Sequence, residues 1–157
     1  MTRFLNTRVL MLTLTVLLAA IAVGAVERAF SATGSGIAVM SVDANGVVSA
    51  EVTGSGNATH LGVFTNAGKI VFNVDPSDPN LAHPTGEAIF TASNGDKLKI
   101  VVADGVADLT TGVGTGHFSF AGGTGRFANA TGTTSYVVEQ NFVTGAYQIT
   151  MVGNIDY

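Results

Sequence analysis

The chain of 157 residues reads as all-β: an eight-stranded antiparallel β-barrel preceded by an N-terminal signal helix. Three observations argue for an antiparallel barrel or sandwich, and a fourth favours the barrel. Apolar residues recur at every second position in short runs, the period of a half-buried strand. Turn pairs containing glycine punctuate those runs at regular spacing. No segment after residue 32 carries the stripe of an amphipathic helix. Charged residues make up only 11% of the chain, so an open sheet edge would have few charges to guard it, and closure into a barrel removes the edge.

The elements follow in order. Arg3 and Arg8 precede "VLMLTLTVLLAAIAVGAV", Val9 to Val26, which carries no charge. A basic start followed by an apolar run reads as an export signal. Ala29-Phe30-Ser31 offers small residues around a cleavage point, and Val23-Gly24-Ala25 offers a second. The run is also long enough to serve as an uncleaved anchor. The expected division is residues 1–31 as signal peptide or anchor and 32–157 as one barrel domain, exported to the periplasm or beyond. Membrane contact is expected only through an uncleaved N-terminus.

Strands are expected near 36–42, 47–54, 58–65, 69–74, 86–92, 97–104, 114–121 with 133–140, and 147–156. The last is the clearest: Tyr147, Ile149, Met151 and Ile155 alternate with Gln148, Thr150, Val152 and Asn154. Asn45-Gly46 and Asn94-Gly95 are expected to make tight hairpins, since both residues tolerate positive φ. "DPSDPNLAHPT", Asp75 to Thr85, holds all three prolines and is expected to form a stiffened loop over one barrel end.

Composition excludes several chemistries. There is no cysteine, hence no disulfide, no thiol nucleophile and no Cys-based zinc site. His60, His83 and His117 lack metal-pair spacing, and Asp75, Asp78 and Asn80 lack the EF-hand pattern. No metal and no cofactor is expected. Seven basic residues face eleven acidic ones, and cutting after Ser31 leaves four (Lys69, Lys97, Lys99, Arg126) against ten. Such a chain is a poor partner for nucleic acid. No G-x-S-x-G elbow, Walker loop or His-Glu-x-x-His assigns a reaction.

"GGTGRFANATG", Gly122 to Gly132, fits G-x-G-x-x-A through Gly123, Gly125 and Ala128. A dinucleotide loop must open a helix. Here a β-branched run follows, so the glycines read as a corner between strands, with Phe127 plugging the core beneath it. This stretch resembles the Gly-Gly-Thr-Gly-aromatic-Ala-x-Ala-x-Gly corner of allene-oxide-cyclase-like and dirigent-like proteins. "ATHLGVFT", Ala58 to Thr65, resembles a segment of exported bacterial relatives. The resemblance implies an eight-stranded antiparallel barrel, often trimeric, with an apolar lumen. The plant cyclases act on a fatty-acid epoxide, and dirigent proteins steer the coupling of phenolic radicals. No catalytic residue of either group carries over to a position of this sequence.

Alternation nominates Phe64, Phe72, Phe90, Phe118, Phe120 and Tyr147 as the lining of the lumen, either around a small apolar ligand or closed into a solid core. His60 and Glu87 are the catalytic candidates. His60 is a polar group at the barrel mouth or a side chain bonded to a neighbouring strand. Glu87, Glu51 and Glu139 are mid-strand carboxylates that face solvent unless one turns inward, where burial would raise its pKa. His117 is expected on an outer face and His83 in a solvated loop. Arg126 binds corner carbonyls or an aspartate, or anchors an anion. The leading expectation is an exported barrel that binds a small apolar molecule. The alternatives are a cyclase or isomerase on a hydrophobic substrate, and a structural or surface-interaction module with a homotrimer as candidate assembly.

Overall fold

The computed structural model describes residues 26–157. The expected signal helix lies outside the described residues. Eight antiparallel strands form a closed barrel in chain order: β1 (Arg28–Val42), β2 (Val48–Ala58), β3 (Gly62–Asp75), β4 (Asp78–Ala92), β5 (Lys97–Asp108), β6 (Val113–Gly123), β7 (Thr131–Gln140) and β8 (Ala146–Asp156). Every connection joins neighbours. β1 closes the barrel on β8, in register from Arg28 opposite Ile155 to Ile37 opposite Ala146. The strand therefore begins ahead of the expected 31/32 boundary, and Phe30 is 1% exposed in the core.

Three local expectations need correction. Residues 62–65 and 69–74 belong to one strand, β3, while Ala58 ends β2. The turn falls earlier, at Thr59–Leu61, where His60 takes φ 69°. Gly68, between those segments, is a packing position, because a Cβ there would meet Ala88 Cα at 2.6 Å. The proline segment is a hairpin, not a loop. Its turn is only Pro76-Ser77, fixed by Asp75, whose Oδ1 accepts from the Ser77 amide (2.8 Å) and hydroxyl (2.7 Å). Pro79 and Pro84 lie in β4: Pro84 falls where the pairing with β5 is irregular, between Ala82 and Glu87, and Pro79 where the register with β3 shifts, past Val74. The Asn-Gly turns are longer than tight two-residue hairpins. At the first, Asp43 Oδ1 accepts from the amides of Asn45 (2.8 Å) and Val47 (2.9 Å).

The corner is a corner. After Gly123 comes a single 3₁₀ turn, Gly125–Phe127, and then β7. Gly125 has φ 57° and sits so close to the Asp96 carboxylate that no Cβ fits. Phe127 is fully buried beneath it.

Alternation sorts each strand into an inner and an outer face. The core is uneven along the barrel axis. One end carries the loops 59–61, 93–96 and 124–130 with both chain termini of the barrel. There Phe30, Leu61, Leu98, Phe120, Phe127, Met151 and Ile155 pack solidly. Phe30 meets Phe120 edge-on at 4.9 Å. The other end, with the four remaining hairpins, holds a smaller cluster of Ala38, Ala50 and Tyr147.

Candidate functional site

Between these two clusters lies a cavity of about 110 Å³, lined mainly by Phe64, Phe90, Ile100, Phe118, Tyr136 and Tyr147. It reaches toward the hairpin end, where Phe72, Gln140 and Phe142 stand at the rim. Phe142 is 41% exposed.

Glycines explain why space remains. The inward positions of β1 and β2 at mid-barrel are Gly34, Gly36, Gly54 and Gly56, so this stretch of wall has no side chains. Tyr147 on β8 lies flat across Gly36 and Gly54. A Cβ at those positions would meet its Oη at 2.8 and 2.7 Å. The phenol thus reaches Asn66 on β3, whose Nδ2 donates to Tyr147 Oη at 3.0 Å. Phe64 covers Gly56 in the same way, with its ring tip 2.8 Å from where a Cβ would stand, and stacks on Phe90 at 4.5 Å. On the opposite wall Tyr136 of β7 stacks on Phe118 at 4.2 Å.

Burial, reinforced by the negative charge of Asp104, pushes the Tyr136 hydroxyl up to about 12. Burial also raises Tyr147, opposed by the bond from Asn66. Both phenols are therefore neutral hydrogen-bonding groups at physiological pH. Two carboxylates lie near the wall. Asp108 is held at about 2 by the Thr110 hydroxyl, with help from the amides of Thr110 and Thr111. Glu87 borders the β4 irregularity, but its carboxylate is largely exposed and bound to Lys99 Nζ at 2.6 Å. Among the described residues no lysine or arginine lines the cavity, and no group of three His, Asp or Glu is placed to hold a metal.

The expected lining residues divide. Phe64, Phe72, Phe90, Phe118 and Tyr147 border the cavity. Phe120 belongs to the solid end, against Phe30. His60 is not at the open mouth. It sits on the outside of the packed end, where Nε2 bonds the Ala29 carbonyl oxygen at 2.9 Å and the ring meets Tyr157 at 5.6 Å. His83 is in β4 rather than a loop, between the Gly105 carbonyl (3.1 Å) and Asp75 Oδ2 (3.2 Å). His117 is on the outer face, with Nδ1 2.8 Å from Asp104 Oδ1. Glu51 faces outward beside Lys69 at 3.7 Å, and Glu139 is exposed. Arg126 donates to the His60 carbonyl and lies 3.9 Å from Asp96 Oδ2, tying the corner to two neighbouring turns.

Asn66 and Tyr136 escaped the sequence reading. Asn66 was hidden by the false break in β3. Once that strand is continuous, it shares a face with Phe64, Ile70 and Phe72. Tyr136 had a visible signal, the alternation of Thr134, Tyr136 and Val138.

A solved structure, that of the pterocarpan synthase dirigent protein GePTS1, superposes on the barrel with a TM-score of 0.54. It covers 83% of this chain and 86% of its own, at 15% sequence identity. The fold is dirigent-like. No family model matches the sequence, and no curated protein matches it. At that identity the likeness carries the architecture, and the lumen of this dirigent-like barrel has to be read from its own residues.

Proposed function

We propose that the protein is an exported barrel whose lumen binds one small, uncharged, largely apolar molecule without transforming it. The apolar cavity carries this reading: a barrel packed solid at one end keeps open space at the other, behind a glycine-faced wall. An eight-stranded barrel is wide enough for one small ligand. The cyclase or isomerase alternative needs a base facing the substrate. Its candidates point elsewhere, His60 onto a backbone carbonyl outside the packed end and Glu87 onto Lys99.

The test is binding of a single-ring hydrocarbon such as ethylbenzene, followed by calorimetry. We expect a dissociation constant on the order of 100 µM, in keeping with so small a ligand. Val52→Trp, placed in the cavity wall, abolishes binding and preserves the barrel. No binding up to the solubility limit would remove the ligand-binding reading and leave the structural-module one.

Export is proposed on Arg3, Arg8 and the Val9–Val26 run. Between the two cleavage points, the one after Ala25 keeps β1 whole. Cutting after Ser31 would strip Phe30 from the core and remove Arg28, whose Nη1 donates to the Tyr157 carbonyl at 3.2 Å. Intact-mass analysis of exported material is expected to show a chain beginning at Val26. A chain beginning at Ala32 would refute that choice of site.

A further inference from the structure

The lumen holds two phenols, and only one is satisfied. Tyr147 shares a hydrogen bond with Asn66. Tyr136 is 5% exposed, yet its hydroxyl makes no hydrogen bond with any described residue. Tyr136 pairs with Gly116 of β6 in the ladder. The hydroxyl comes to rest on Gly105 of β5, so close that a Cβ there could not fit. This is where β4 and β5 part: the ladder lapses between Ala82 and Glu87, and Pro84 has no N–H to offer. The apolar part of the wall around it includes Val102, Ala107, Phe118 and Val138. No buried side-chain polar atom is left unpaired among the described residues, so this hydroxyl keeps accessible surface and is a free donor for an acceptor that enters the lumen.

The charge of that acceptor follows from the lining. The acidic groups near the wall, Asp108 and Glu87, are engaged with Thr110 and Lys99, and no cation faces the space. An anion would be buried without a counter-charge. Size follows as well. An engineered cavity of about 150 Å³ takes benzene, so 110 Å³ suits a single ring or a short branched chain, with any extension leaving by the open end.

We propose that Tyr136 is the ligand anchor of the lumen, its hydroxyl donating to the uncharged acceptor oxygen of a ketone, aldehyde or ether carried on a compact apolar body. This rests on the reading of the lumen as a binding site.

The experiment uses a pair of probes that differ at one atom: acetophenone, and α-methylstyrene, which has CH₂ in place of the carbonyl oxygen. Each is titrated into the wild-type protein and into Tyr136→Phe and Tyr147→Phe. Tyr136→Phe is expected to weaken acetophenone roughly threefold to tenfold, the range of one neutral hydrogen bond, and to change α-methylstyrene by less than about twofold. In the infrared, the carbonyl stretch of bound acetophenone shifts down in the wild type and in Tyr147→Phe, and returns in Tyr136→Phe. Benzoate does not bind. Equal weakening of both probes, an unshifted carbonyl in the wild type, or a shift lost in Tyr147→Phe instead would overturn the anchor while hydrocarbon binding kept the lumen reading intact. Failure of both probes to bind would overturn the two together.

Discussion

At one end of the barrel, Phe30, Phe120 and Phe127 fill the interior with Leu61, Leu98, Met151 and Ile155. Toward the other, the inward positions of β1 and β2 include Gly34, Gly36, Ala38, Ala50, Gly54 and Gly56, with Val52 the larger side chain among them. The same eight strands run through both halves, so topology does not decide whether there is a lumen. Side-chain volume does. Glycine also does more than leave space: it lets Tyr147 and Phe64 lie along the wall rather than stand across the bore. The packed end supplies the stability that the hollow half forgoes.

The sharpest way to break this comparison is to delete one aromatic ring at each end. Phe127→Ala is expected to cost roughly 3–5 kcal/mol in urea unfolding, since a fully buried ring leaves a void. Phe142→Ala, at the exposed rim, is expected to cost less than about 1 kcal/mol. Similar losses at both ends would mean that the hairpin end is load-sharing core. Next in size is Gly54→Ala, whose Cβ would stand 2.7 Å from Tyr147 Oη and 2.9 Å from Asn66 Oδ1. Overpacking is expected to cost roughly 1–3 kcal/mol and to reduce hydrocarbon binding in the same titration. A silent substitution would show that the Ser35 backbone carbonyl, which the Cβ would meet first, and the tyrosine both give way.

The smallest effect is a pH dependence on the outer wall. Both ring nitrogens of His83 have acceptors, Asp75 first and the Gly105 carbonyl second, and this raises its pKa above 6.5. A raised folded pKa means that the contribution is fully present below 6.5 and is lost as pH rises through the higher folded value. Melting temperatures measured from pH 5 to pH 9 are expected to decline slightly on the alkaline side, and His83→Gln to flatten that decline. The pair is exposed, so a large effect would contradict its placement.

The fold was legible because alternation survives in a single sequence. Tyr147, Ile149, Met151 and Ile155 mark an inner face whatever the neighbouring strand. The Gly122–Gly132 corner announced its own turn. Boundaries failed where glycine and proline have two meanings. Gly68 looks like a break and is a close contact. Pro79 and Pro84 look like loop residues, yet lie in a strand at a stretch where the ladder is irregular. The site was legible only in part. Parity says that Phe118 faces inward. It cannot say which half of the bore is filled, because that depends on residues from other strands at the same height. Phe120, only two residues further along β6, thus falls in the solid end. The unpaired Tyr136 hydroxyl is likewise a matter of where β4 and β5 separate, a register property that no local pattern encodes.

One further consequence concerns timing. β1 pairs with β8, and Phe30 reaches its pocket only when Met151 and Ile155 are in place. The first strand made must therefore wait for the last, and no shorter nascent chain can complete the ring. Contacts so distant along the chain slow folding. With its seam formed by its two terminal strands, the barrel cannot shut until its last strand is available.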